Sequence, residues 1–193
     1  MTIYVNDDNI KNRTHSVFEN EGRETFMRQQ AYSLLVDNNP GVLSRIAGLF
    51  SRRGYSIDSI TAGATADPRF TRITVVATGD EQILSQIEKQ VRKLEDVIKI
   101  KLLTERDSVF RELIMVKIQA DKNTRIELIS IAEIFRAKII DVDVDSVIIE
   151  LTGNQSKLEG FLKLLEGYEI LEVARTGIAG LARGMKDITY LTE

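Results

Sequence analysis

Apolar residues along this chain recur with two periods, one for strands and one for helices, and the two alternate. Ala31 to Val36 is a short apolar run of the kind a buried strand makes. Gly41 to Arg53 then sets Val42, Leu43, Ile46, Ala47, Leu49 and Phe50 at helical spacing, and Gly54 ends that helix after Arg52 and Arg53 in its last turn. Tyr55 to Ala66 and Arg69 to Thr78 read as strands separated by a turn at Asp67-Pro68. Ile73, Val75 and Ala77 share one face of the second, while Ile57 and Ile60 break strict alternation in the first, which predicts a bulge. A helix over Glu81 to Leu94 carries Leu84, Ile87, Val91 and Leu94 at three-four spacing. Ile98, Ile100 and Leu102 then alternate with Lys99 and Lys101, a half-buried strand with its lysines outward.

The same order follows again. Val109 to Gln119 is a strand with Ile114, Val116 and Ile118 inward, and Asn123 to Phe135 a helix with Leu128, Ala132 and Phe135 on one stripe. Lys138 to Val144 and Val147 to Thr152 form a hairpin turning at Asp145-Ser146. A helix with Leu158, Phe161, Leu162 and Leu165 follows, then Gly167 and a strand from Tyr168 to Thr176. Two successive β-α-β-β-α-β units make an α+β chain of two tandem ferredoxin-like domains. The predicted boundaries are a polar extension over 1–29, a first domain over 30–104, a charged linker at Thr104 to Ser108, a second domain over 109–184 and a tail over 185–193 that leaves the second repeat. The extension is read with a short helix near Arg23 to Gln30.

Composition narrows the function classes. The chain has 193 residues, 43% hydrophobic and 28% charged, which suits an ordinary globular protein long enough for two small domains. Without cysteine it has no disulfide, thiolate nucleophile or cysteine metal site. A net charge of -3 lacks the basic excess expected of a nucleic-acid binder, and the apolar runs are too short and too charge-interrupted to span a membrane. With no apolar segment behind a basic start, a secretory signal is not expected, and the predicted location is cytoplasmic. The sole histidine, His15, lies in the polar extension and is given no catalytic role. A small four-stranded sheet with helices on one face has open edges and a modest core, so oligomerisation is expected, through the edge strand that begins at Tyr55.

The stretch Val36-Asp37-Asn38-Asn39-Pro40-Gly41-Val42-Leu43 carries the candidate chemistry. It reads as a strand running into a helix, with Asn39 as N-cap and Pro40 at the first helical position. Gly41 removes a side chain where a ligand would approach, and the amides and dipole of the helix start suit a carboxylate. An amino acid fits there, although a Pro-Gly helix start is also ordinary capping. Asp141, Asp143 and Asp145 are expected on one strand face, a solvated face rather than a hard-cation site because no fourth ligand is indicated. Arg52 and Arg53 read as partners of the helix dipole. No GxxxxGK[ST], GxSxG or HExxH occurs.

The run Asn38-Asn39-Pro40-Gly41-Val42-Leu43-Ser44-Arg45-Ile46, continued by Gly48-Leu49-Phe50-Ser51-Arg52-Arg53-Gly54-Tyr55-Ser56-Ile57, resembles the ACT-domain signature of the regulatory small subunit of acetolactate (acetohydroxyacid) synthase. Further pieces resemble the same family in the same order: Gly79-Asp80-Glu81, Arg111-Glu112-Leu113-Ile114-Met115-Val116-Lys117, Ile139-Ile140-Asp141-Val142, Glu172-Val173-Ala174-Arg175-Thr176-Gly177 and Gly180-Leu181-Ala182-Arg183-Gly184. The resemblance implies a non-catalytic partner of a large catalytic subunit, raising its activity and conferring feedback inhibition by a branched-chain amino acid, typically valine. It places thiamine diphosphate and Mg, with FAD as a further candidate, on the catalytic chain and no cofactor on this one. It also implies a homodimer through the ACT domain, with Ile57 reaching the effector from a neighbouring chain. Under this reading Gly41 and Val42 amides take the carboxylate, and Asp37, Asn38 or nearby carbonyls accept from the ammonium. Val42, Leu43 and Ile57 would enclose the side chain, and Pro40 and Ser56 are counted among the effector-binding residues. Ser56 stands where the family commonly has Asn, with a different set of donors and acceptors. Contact with the catalytic subunit is expected on sheet and helix surfaces away from this loop. The alternatives are an ACT module sensing an amino acid for another target, without a DNA-binding helix pair here, and a small ferredoxin-like enzyme, for which no nucleophile and base are found.

Overall fold

A computed structural model describes residues 17–20 and 23–184. His15 and residues 185–193 lie outside them. The chain folds as two compact units that divide between Thr104 and Glu105.

In place of a helix near Arg23 to Gln30, a small hairpin pairs β1 (Val17–Asn20) with β2 (Arg23–Phe26). Arg28 to Gln30 then open β3 (Arg28–Asp37), three residues earlier than the apolar run suggests. The partner strand explains this: β5 (Phe70–Gly79) extends far enough to pair Arg28 with Gly79, and long-range hydrogen bonds override weak local preference. The unit continues with α1 (Val42–Arg53), β4 (Ser59–Ala64), α2 (Glu81–Val91) and β6 (Val97–Leu103). Its strands lie in the order β4-β5-β3-β6, every neighbouring pair antiparallel.

One face of this sheet, with Tyr32, Leu34, Val36, Ile73, Val75 and Ala77, packs on Val42, Ile46, Leu49 and Phe50 of α1 and Leu84, Ile87 and Val91 of α2. Leu43 and Ala47, expected on that stripe, are exposed, because a 100° step takes Leu43 off the arc that Val42 begins. Gly54, in a left-handed conformation (φ 67°), ends α1 as expected, and the Tyr55 amide donates back to the Phe50 carbonyl. Residues 55–58 therefore close the helix, and β4 starts at Ser59 rather than Tyr55. β4 pairs with β5 in unbroken register, so the bulge expected around Ile57 and Ile60 is absent there. A bulge falls in β6 instead: the register slips between Leu35 and Val36, so Val97 packs toward the core and Ile98 turns outward.

The second unit repeats the plan. β7 (Ser108–Gln119), α3 (Lys122–Phe135), β8 (Lys138–Val142), β9 (Ser146–Gly153), α4 (Gln155–Leu164) and β10 (Ile170–Arg175) form a sheet ordered β10-β7-β9-β8. A further strand, β11 (Ala179–Ala182), pairs with Ser108 to Arg111 of β7. Ile114, Val116 and Ile118 face inward as expected, against Leu128, Ala132, Leu158 and Phe161. The β8–β9 turn is formed by Val144 and Asp145, closed by Asp143 N–H donating to the Ser146 carbonyl, so the strand ends at Val142. Asp141, Asp143 and Asp145 thus do not share a strand face: Asp143 lies in the turn, where its carboxylate accepts from the Val144 amide. Among the described residues no acidic or histidine cluster could hold a metal, and no helix is long and apolar enough to cross a membrane.

Candidate effector site

The end of β3 is tied down on both sides. The Asp37 amide donates to the Asp96 carbonyl (3.0 Å) and the Asn38 amide to the Arg69 carbonyl (2.8 Å). The Asn38 side chain donates to the Pro68 carbonyl and accepts from the Thr71 hydroxyl, both at 2.9 Å. Asn39-Pro40-Gly41-Val42 then forms a β-turn in which the Val42 amide reaches the Asn39 carbonyl at 3.4 Å. Gly41 at φ 86°, ψ -7° marks it as type II, with proline and glycine at the two positions that type prefers. Asn39 is therefore not the N-cap and Pro40 not the first helical residue. Gly41 precedes the helix, and no side chain caps it, whereas Asp80, Asp121 and Asn154 cap α2, α3 and α4. With the Val42 amide turned to the Asn39 carbonyl, the remaining first-turn amides, those of Leu43 and Ser44, have no side-chain cap.

Arg45, four residues past Gly41, has a role that only its distant partner reveals. Its guanidinium grips Asp96 with two hydrogen bonds, Nε to Oδ2 at 2.6 Å and Nη2 to Oδ1 at 2.7 Å. The pairing holds the Asp96 carboxyl below, and the Arg45 guanidinium above, their ordinary pKa values, the shared hydrogen bonds being the largest cause. Nη1 lies over the turn: a Cβ on Gly41 would sit 3.1 Å from it. A fixed cation thus adjoins the uncapped amides, an arrangement suited to a carboxylate. The signal was present as an arginine four residues after a turn glycine, but its partner lies 51 positions away.

The remaining candidates divide into two groups. Asp37, Asn38, Pro40, Gly41 and Leu43 gather at the turn, with Leu43 46% exposed. Val42 contributes its backbone there, while its side chain is buried in the core. Ser56 and Ile57 follow the other end of α1, about 18 Å away by helical rise. Ser56 is exposed and Ile57 half-buried against the core. One chain does not bring the two groups together.

A family model described as the small subunit of acetolactate synthase matches residues 111–184, and one described as an AHAS small subunit-like ACT domain matches residues 32–99. The chain belongs to the acetolactate synthase small-subunit family. It is 46% identical over 155 residues to a probable acetolactate synthase small subunit of Methanothermobacter thermautotrophicus, covering 80% of this chain and 92% of the relative. Identity is also 46% over 155 residues to the acetolactate synthase isozyme 3 small subunit of Salmonella typhimurium, with 80% and 95% covered. The crystal structure of the acetolactate synthase small subunit from Thermotoga maritima superposes with a TM-score of 0.75 at 41% identity, over 82% of this chain and 99% of that one. This chain is accordingly a regulatory subunit of an enzyme complex, carrying an ACT domain and no catalytic role of its own. Its family motifs have visible structural work: Glu112 of β7, buried, receives a bidentate pair from Arg175 of β10 at 2.8 and 2.7 Å, and Thr176 bonds Leu113.

Proposed function

We propose that this small subunit binds the large catalytic subunit of acetolactate synthase, raises its activity, and makes it sensitive to feedback inhibition by valine. The turn at Gly41 receives the amino acid. Its carboxylate meets the first-turn amides of α1 and Arg45 Nη1, and its ammonium meets Asp37 and nearby carbonyls. Leu43 borders the side chain, and Ile57 with Ser56 of a second copy completes the enclosure. The observation that carries this is the uncapped helix start beside an oriented guanidinium, with the other candidate residues too far away in the same chain.

In this reading β4, an edge strand, pairs with a second copy, so effector binding tightens a dimer. Thiamine diphosphate, Mg and, as a further candidate, FAD belong to the catalytic partner. The complex works in the cytoplasm, without nucleic acid or membrane. Co-purification of the two chains with and without valine, together with calorimetry on this chain alone, tests it. Expected are a stable complex, valine binding to this chain, and pyruvate condensation only when the large subunit is present. Condensation by the pure small subunit, or no heat on adding valine, would sink the reading.

A further inference from the structure

The second unit leaves apolar surface uncovered on one side. From α3, Leu128, Ala132 and Phe135 point into the core, while Ile126, Ile129 and Ile134 fall within about 140° of arc on the opposite side. Those isoleucines face solvent, Ile126 being 66% and Ile134 73% exposed. A helix apolar on both faces is ordinarily covered on both. Beside it runs β8, the outer strand of its sheet, where Ile140 and Val142 are exposed as well, as is Val144 in the turn that follows. The two surfaces are joined: Arg125 of α3 donates from Nη2 to the carbonyls of Asp143 (2.6 Å) and Val144 (2.9 Å).

The β8 edge is poorly suited to pairing with another strand. Its register slips between Ile139 and Asp141, so a bulge at Ile140 twists the edge away, and Asp141 on the strand with Asp143 and Asp145 in the turn put negative charge along it. The charges around the area are Asp121, Glu127, Glu133, Asp141, Asp143 and Asp145 against Lys122, Arg136, Lys138 and the half-buried Arg125, so it is acidic on balance. A second copy would bring excess like charge to the same seam, whereas a surface apolar at its centre and basic at its rim would complement it.

We propose that the outer face of α3 together with β8 docks the catalytic large subunit, through a surface of that kind. The inference rests on the proposed binding of that subunit. Its test uses the full chain and two double variants, Ile126→Glu with Ile134→Glu, and Asp141→Lys with Asp145→Lys. All these positions are exposed, and thermal melting checks that folding is intact; Ile126→Ser with Ile134→Ser serves if the glutamates unfold the unit. Affinity for the purified large subunit is measured at about 0.05 and 0.3 M salt, and the mass of the chain alone by sedimentation equilibrium.

The isoleucine pair is expected to weaken binding about thirtyfold at both salts. The aspartate pair should weaken it about tenfold at low salt and much less at high salt, and the mass of the chain alone should not change. Variants that bind as tightly as an active wild type would overturn the docking surface and leave the partner reading standing. A wild type that binds no large subunit would sink both. A lower mass for the isoleucine variant alone would give the surface to a second copy and overturn the proposal.

Discussion

At Gly41 two requirements coincide: the backbone sits at φ 86°, and Arg45 Nη1 lies 3.1 Å from where a Cβ would be. Gly41→Ala should therefore cost about 1–2 kcal/mol from the left-handed backbone alone. Gly41→Asp adds a carboxylate at the proposed ligand position, and should abolish valine inhibition while leaving stimulation of the catalytic subunit largely intact. Calorimetry on both variants separates strain from charge; unchanged valine affinity in Gly41→Asp would count against the site. Tyr32 is a second residue with a sharp consequence. Its hydroxyl donates to the Leu84 carbonyl at 2.8 Å inside the core, and burial, aided by Glu88 and opposed by Arg28, pushes its pKa up to about 12. The folded state holds this proton more tightly than the unfolded chain does. Its contribution is whole below the ordinary value of 10.0 and is lost as pH rises toward 12. Urea titrations from pH 9 upward should show that loss, and Tyr32→Phe, costing about 1 kcal/mol at neutral pH, should remove it. The pairings of Arg45 with Asp96 and of Tyr32 with Leu84 were not legible in the sequence, since each partner lies more than fifty positions away.

Among the elements, the helices follow their sequence pattern closely because their contacts are local. Leu84, Ile87 and Val91 of α2, Leu128 and Ala132 of α3 and Leu158 and Phe161 of α4 are buried as the three-four spacing predicts, while Phe135, Leu162 and Leu94, which lies past the end of α2, are half-buried. The start of α1 departs from expectation because a type II turn supplies its entry. Asp121 caps α3 by accepting from the amides of Asn123 and Thr124, so Asp121→Ala should cost about 1 kcal/mol by urea denaturation. The strands are less legible. Bulges at Ile98 and Ile140, and a further slip between Ile170 and Glu172, arise from how each strand meets its neighbour. The β10–β7 pairing also depends on Glu112 and Arg175. Glu112→Ala leaves the partly exposed Arg175 without its partner and removes two charge-assisted hydrogen bonds, so it should destabilise the second unit by about 2 kcal/mol. Replacing both by Leu and Met should restore most of that loss.

For the whole molecule, acid acts on both units. Asp96 is held below its ordinary pKa by Arg45, Asp67 by Arg69, and Asp121 by the amides it caps. Their stabilising contribution is present above the ordinary value of 3.8 and is lost as pH falls through the depressed values, so stability should decline below about pH 4. A fluorescence or circular-dichroism titration flat from pH 6 down to 2 would contradict this. The separation of Gly41 from Ser56 gives a sharper test of assembly. Chains with Gly41→Asp and chains with Ser56→Asp should each fail to bind valine, yet a mixed dimer should regain one site per dimer in calorimetry. The periodicities along the chain, with the ordered motifs of both repeats, determined the ferredoxin-like plan and the family without help, because helical and strand spacing are set by residues a few positions apart. Only the tertiary structure decided where registers slip, which face of α3 stays uncovered, and that Arg45 stands over Gly41. Each of these depends on partners distant in sequence, and a linear pattern carries no record of who meets whom.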